Sequence, residues 1–147
     1  MLDTTDLQVL FIAGFGPVAR TATEGCAFWR DTLDLPLRPM EGNADYLTAP
    51  DLKGSHHFAV WPLEQAAMSC FSSAAWPDDL PTPQCWVEFD VADVEHASGI
   101  LKKRGCRLLV ENRKEPWGQR VTRLMSPEGV LVGLTMTPHL RDQNGAE

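Results

Sequence analysis

The sequence predicts an α+β fold in which one order of elements, strand then helix then further strands, occurs twice. Three observations predict it. Thr21-x-x-Glu24 forms a capping box directly after an apolar run, so a strand gives way to a helix there. Asp93 stands before a second helical pattern and directly after Trp86-Val87-Glu88-Phe89-Asp90-Val91, which alternates strictly between two faces. Ser126-Pro127-Glu128-Gly129 separates two β-branched, apolar runs, as a tight hairpin requires.

In chain order, Met1 to Asp6 is polar and loosely held. Gln8 to Val18 reads as a buried strand. Its Gly14-Phe15-Gly16 lacks the third glycine of a dinucleotide cradle, so these glycines mark a bulge or the close approach of a ligand. A helix follows from Ala22 to Leu33, with Ala27, Phe28 and Leu33 as its apolar face, Cys26 nearby and Asp34 as terminator. Leu37 to Met40, Tyr46 to Ala49 and His57 to Trp61 read as short strands. Pro62 to Gln84 is a connector with a short helix at Leu63 to Cys70, anchored by Cys70, Phe71 and Trp76.

The second half opens on the alternating strand, in which Trp86, Glu88 and Asp90 share one face. Val94, Ala97, Ile100 and Leu101 form the inner face of the next helix, and Gly105 ends it. Leu108 to Val110 is a strand, and the hairpin completes the half. Trp117 and Gly118 stand at the hairpin's mouth, and Gly133 leaves a gap on the sheet surface.

A chain of 147 residues that is 44% hydrophobic buries one core, or two small ones sharing a sheet. The net charge of −7 and pI near 5.0 argue against nucleic acid, whose phosphates need clustered Lys and Arg. No apolar run approaches the roughly 20 residues of a membrane helix, and the N-terminus does not read as a signal peptide. The expected compartment is the cytoplasm. Cys26, Cys70, Cys85 and Cys106 form no C-x-x-C pair and are expected as buried free thiols.

The halves align with Leu33 to Leu37 over Arg104 to Leu108. Three segments then carry a resemblance: Phe28-Trp29-Arg30-Asp31-Thr32-Leu33-Asp34-Leu35, Trp86 to Val94, and Glu115-Pro116-Trp117-Gly118-Gln119 with Ser126-Pro127-Glu128-Gly129. Together they resemble the vicinal oxygen chelate superfamily, which includes glyoxalase I, extradiol dioxygenases, fosfomycin-modifying enzymes and bleomycin-resistance proteins. The resemblance implies two βαβββ modules forming half-open sheet cups, at residues 7–62 and 85–138. A connector at 63–84 and a tail at 139–147 complete the chain, and pairing as a homodimer is implied.

Enzymes of that superfamily hold a divalent metal on the first and last strands of each module. The matching positions here are Ala13 or Gly14, His57, Trp86 and Gly133, so His57 is the only plausible remaining donor, with Glu88 nearby. A hard cation needs several oxygen or imidazole donors. The expectation is therefore no metal, no cofactor and no catalytic residue. Phe15, His57, Trp61, Trp86, Glu88, Trp117 and Gly133 are expected to line a ligand site, with Gly14 and Gly133 leaving room. An unpaired Glu88 would favour a cation or a donor-rich ligand. His56 is expected to be structural, and His96 and His139 solvated. The implied function is sequestration of an aromatic or cationic natural product, as in drug resistance. The alternative is a glyoxalase-superfamily lyase or isomerase, either metal-dependent or with Glu88 as base and His57 as acid.

Overall fold

A computed structural model describes residues 6–145, so the expectation for Met1 to Asp6 falls outside it except at Asp6. The first half runs β1 (Val9–Ala19), α1 (Ala22–Gly25) continuing as a π-helical segment (Cys26–Thr32), β2 (Arg38–Met40), β3 (Asn43–Thr48) and β4 (Ala59–Pro62). Helix α2 (Leu63–Phe71) begins the connector. The second half runs β5 (Cys85–Val91), α3 (Val94–Lys103), β6 (Val110–Lys114), β7 (Arg120–Met125) and β8 (Leu131–Met136), followed by α4 (Pro138–Gly145).

Both halves have the βαβββ order, and their strands join into one sheet ordered β2-β3-β4-β1-β5-β8-β7-β6. Within each module the first strand pairs in parallel with the last, β1 with β4 and β5 with β8. The modules meet where β1 pairs antiparallel with β5, Phe15 opposite Val87 and Gly16 opposite Trp86. Parallel neighbours need a crossover, and the helix after each first strand supplies it.

The strand alternation sorts the two sheet faces. Val91 and Leu134 pack beneath Val94, Ala97 and Leu101 of α3, whose N-terminus is capped by the Asp93 carboxylate accepting from His96 N at 3.0 Å. Trp86, Val121 and Leu131 lie on the opposite face, where Ala66 and Cys70 of α2 cover them. In the connector, Phe71 meets Trp76 edge to face at 5.1 Å, and Trp76 Nε1 donates to Pro81 O at 2.9 Å. Among the described residues, no helix is long and apolar enough to cross a membrane.

The structure corrects four local expectations. The first helix is α-helical only to Gly25: Leu33 N donates to Phe28 O at 3.0 Å in the longer π register, and the Thr32 hydroxyl reaches back five residues to Ala27 O at 2.9 Å. That wider turn leaves Phe28 and Leu33 in solvent and turns Cys26 and Trp29 toward Leu37, Leu47 and Val60. Asp34 does end it, in the left-handed region at φ 57°. The expected strand at Leu108 begins only at Val110. The tail is helical from Pro138, and its Leu140 is buried. Of the four cysteines only Cys70 is buried, while Cys85 is exposed.

Candidate functional site

On the face opposite α3 the sheet walls a cavity of about 620 Å³, which draws residues from both modules. The β2–β3 turn, α2, the β6–β7 turn and the start of α4 stand around it, contributing Gly42, Gln65, Trp117 and Leu140. A volume of this size accommodates a drug-sized ligand.

Trp86 forms the floor. Its indole lies across β1, where Gly14 and Gly16 carry no side chains to obstruct it. A Cβ on Gly14 would stand 3.1 Å from the Trp86 ring, and one on Gly16 would stand 1.9 Å from Ala59 O. Trp86 Nε1 thereby reaches Ala59 O on β4 at 3.1 Å, which satisfies its N–H inside the core. The close approach foreseen for these glycines is that of Trp86.

One cross-strand row holds the charge. Gly14, Glu88, Gly133 and Arg123 are successive partners on β1, β5, β8 and β7. Gly133 separates the acid from the base and leaves its place to them, since a Cβ there would lie 2.8 Å from Glu88 Cγ. Arg123 Nη1 donates to Glu88 Oε2 at 2.9 Å, and Gln119 Nε2 donates to Oε1 at 3.3 Å. Gln119 Oε1 in turn accepts from Trp117 Nε1 at 3.0 Å. The Arg123 guanidinium also sits 4.9 Å from the centre of the Trp61 ring, a cation–π contact. Both partners of the ion pair are nearly buried, at 7% exposure for Arg123 and 14% for Glu88.

Tyr46 OH and His57 Nε2 share a hydrogen bond of 2.9 Å, with the two rings stacked at 22°. Burial lowers the His57 pKa below its ordinary 6.5; the Glu88 charge opposes that and His139 reinforces it. Burial, with Glu88 nearby, pushes the Tyr46 phenol well above its ordinary range. The pair is therefore neutral near pH 7. Burial likewise raises the Cys70 thiol, which disfavours its reactive thiolate.

Much of the remaining polar wall is also paired within the protein, while Glu41 and His139 are exposed at the rim. Asn43 and Gln65 exchange two amide hydrogen bonds, at 2.8 and 2.9 Å. Arg113 holds Glu115 at 2.9 Å through Nε and the Ser69 carbonyl at 2.7 Å. Asp90, fully buried, accepts from Thr135 Oγ1 at 2.5 Å, from Thr137 N and Oγ1 at 3.0 Å, and from Arg141 Nε at 2.8 Å. Arg141 also donates to Val91 O. Among the described residues, the one buried side-chain polar atom without a partner is Arg123 Nε, which has almost no accessible surface.

Of the seven residues expected at the site, His57, Trp61, Trp86, Glu88 and Trp117 line this cavity. Gly133 does not leave an opening for a ligand, because Glu88 and Arg123 occupy the space it vacates. Phe15 lies elsewhere: strand alternation puts it on the helix-bearing face, 5.5 Å from Phe58 and 44% exposed. His139 is exposed as expected, yet it stands on the cavity rim. Glu88 is not unpaired, so the reason it gave for a cation is removed. Sequence reasoning missed Arg123, Tyr46 and Gln119. The signal for Arg123 was a charge in the middle of the first strand of the predicted hairpin, between Thr122 and Leu124.

These donors do not fit the metal that the resemblance implies. The first-strand positions are Ala13 or Gly14 and Trp86, the last-strand position of the second module is Gly133, and His57 Nε2 already faces Tyr46. Among the described residues, no three His, Cys, Asp or Glu side chains come together in a way that could hold a metal ion.

The fold has counterparts among solved structures. Methylmalonyl-CoA epimerase from Mycobacterium tuberculosis superposes with a TM-score of 0.55 at 23% identity, covering 97% of this chain and 97% of its own. A glyoxalase/bleomycin resistance protein/dioxygenase superfamily member from Vibrio splendidus 12B01 superposes with a TM-score of 0.53 at 12% identity, covering 84% and 96%. This is the glyoxalase/bleomycin-resistance fold. The same fold extends to a protein from Legionella pneumophila described as an NAD-dependent benzaldehyde dehydrogenase, with a TM-score of 0.52 at 10% identity and coverage of 83% and 96%. Glyoxalase/bleomycin-resistance folds at such low identity share architecture alone. No family model and no curated protein matches the sequence.

Proposed function

We propose that this chain is a vicinal oxygen chelate superfamily member of the metal-free, bleomycin-resistance-like kind, which binds a bulky aromatic natural product and leaves it unchanged. The observation that carries this reading is the wall itself: Trp61, Trp86, Trp117, Tyr46 and His57 surround a cavity most of whose polar side chains are engaged within the protein. Aromatic faces give contact area at little conformational cost, and tight sequestration needs only a preorganised shape with a few anchors. The lyase or isomerase alternative draws less support from the geometry. A neutral His57 has little proton to give as an acid, and Glu88 is engaged by Arg123 and Gln119.

The proposal places the protein in the cytoplasm, where a drug-resistance protein would intercept its target, and pairs it as a homodimer. Val9, Ile12 and Phe15 are exposed and give such pairing an apolar surface to cover. Native mass spectrometry reads subunit number, metal and retained ligand together. Calorimetry against a panel of aromatic antibiotics, with and without chelator, tests the binding. Saturable binding unaffected by chelator, with the compound recovered intact, is the expected result. Turnover of the compound, or binding that requires a divalent ion, would overturn the proposal.

A further inference from the structure

Building on that reading, we infer that the cavity selects neutral ring systems over cationic ones, and that Arg123 is the residue that sets this preference. The sequence leaves a cation as a natural partner, since the chain is acidic and Glu88 lies in the site. The structure gives that carboxylate a resident counter-ion. Both Glu88 oxygens accept hydrogen bonds, one from Arg123 and one from Gln119, so an incoming amine would have to compete with a guanidinium at 2.9 Å. It would also meet the positive charge of Arg123 directly, in a partly dehydrated place where like charges repel strongly.

The face of Trp61 that could attract a cation is engaged in the same way. Arg123 is 4.9 Å from that ring, so the cation–π position beside it is filled from within. Of the other polar side chains of the wall, Glu115 is neutralised by Arg113, and Glu41 stands exposed at the rim, where water screens its charge. Asn43 pairs with Gln65, and Tyr46 pairs with a neutral His57. A neutral ring system disturbs none of these pairs, whereas a charged one leaves its own ion poorly solvated.

Three near-isosteric probes test this: anthracene carboxamide, its carboxamidinium and its carboxylate, each titrated calorimetrically into the full chain. The neutral amide is expected to bind at least about tenfold more tightly than the cation, a difference of about 1.4 kcal/mol. Arg123→Met is expected to free Glu88 and move the preference at least about tenfold toward the amidinium. Glu88→Gln is expected to leave Arg123 uncompensated and move it toward the carboxylate. The double variant, which keeps the shape without the charges, is expected to restore the preference for the amide and guards against a single variant that fails to fold. Tighter binding of the amidinium by the unaltered chain would overturn the inference while leaving aromatic sequestration standing. So would a preference that Arg123→Met leaves unmoved. If none of the three probes binds, aromatic sequestration fails and the inference falls with it.

Discussion

Strands β1 and β5 hold the same place in their modules, each leading into a helix and each paired in parallel with its module's last strand. What they bring to the cavity face is opposite. β1 offers Gly14 and Gly16, while β5 offers Trp86, Glu88 and Asp90. The absences in one strand match the bulk in the other, because the indole of β5 rests where β1 has no side chains. Duplication of a βαβββ unit alone would give two similar half-sites. The asymmetry between these strands gives a shared cavity with walls from both modules.

The most severe way to break that complementarity is to fill β1. Gly16→Val puts its Cβ in conflict with a backbone oxygen that cannot rotate away, so a loss of more than about 3 kcal/mol is expected, read by urea unfolding. Emptying β5 instead is expected to cost nearly as much: Trp86→Ala leaves a large core cavity at about 3–5 kcal/mol. A smaller effect sharpens the comparison along the charged row. Glu88→Leu and Arg123→Leu should each cost about 2–3 kcal/mol, and the double variant clearly less than their sum, since each single change strands a nearly buried charge.

A pH series probes the module-one side of the cavity. His57 has a folded pKa below its unfolded value, so its neutral form contributes stability that is fully present above about pH 6.5. That contribution falls as pH drops through the folded pKa, and His57→Gln should flatten this part of the stability profile. The smallest effect on stability is expected at the rim. Trp117→Ala, at a site 69% exposed, should change unfolding free energy by no more than about 0.5 kcal/mol. It should nonetheless weaken binding of an aromatic ligand at least about tenfold, read by calorimetry.

Period and punctuation made much of the fold legible. The alternation from Trp86 to Val91 located the cavity face, and Asp93 and the Thr21-Glu24 box located both helix starts. The π segment was not legible, because apolar spacing assumes an α-helical turn and the register changes after Gly25. Trp86 could be placed at the site, yet its seat on the β1 glycines depends on how the modules join, which no single strand encodes. Phe15 was misplaced for a related reason. Register shifts on β1 between Val9 and Phe11 and between Ile12 and Gly14 upset any simple alternation, and Phe15 ends on the helix side. The Glu88–Arg123 pair spans 35 residues and becomes visible only when β5, β8 and β7 are known to lie side by side.

The manner in which Asp90 is held carries a practical consequence. Three of the groups that satisfy this sealed carboxylate belong to Thr137 and Arg141, after the last strand has ended. Trimming the chain at the end of β8, a natural choice for anyone seeking a minimal domain, would strip them away and leave a charge in the interior. Affinity tags and fluorescent fusions are therefore better appended beyond Arg141, with the whole terminal helix retained.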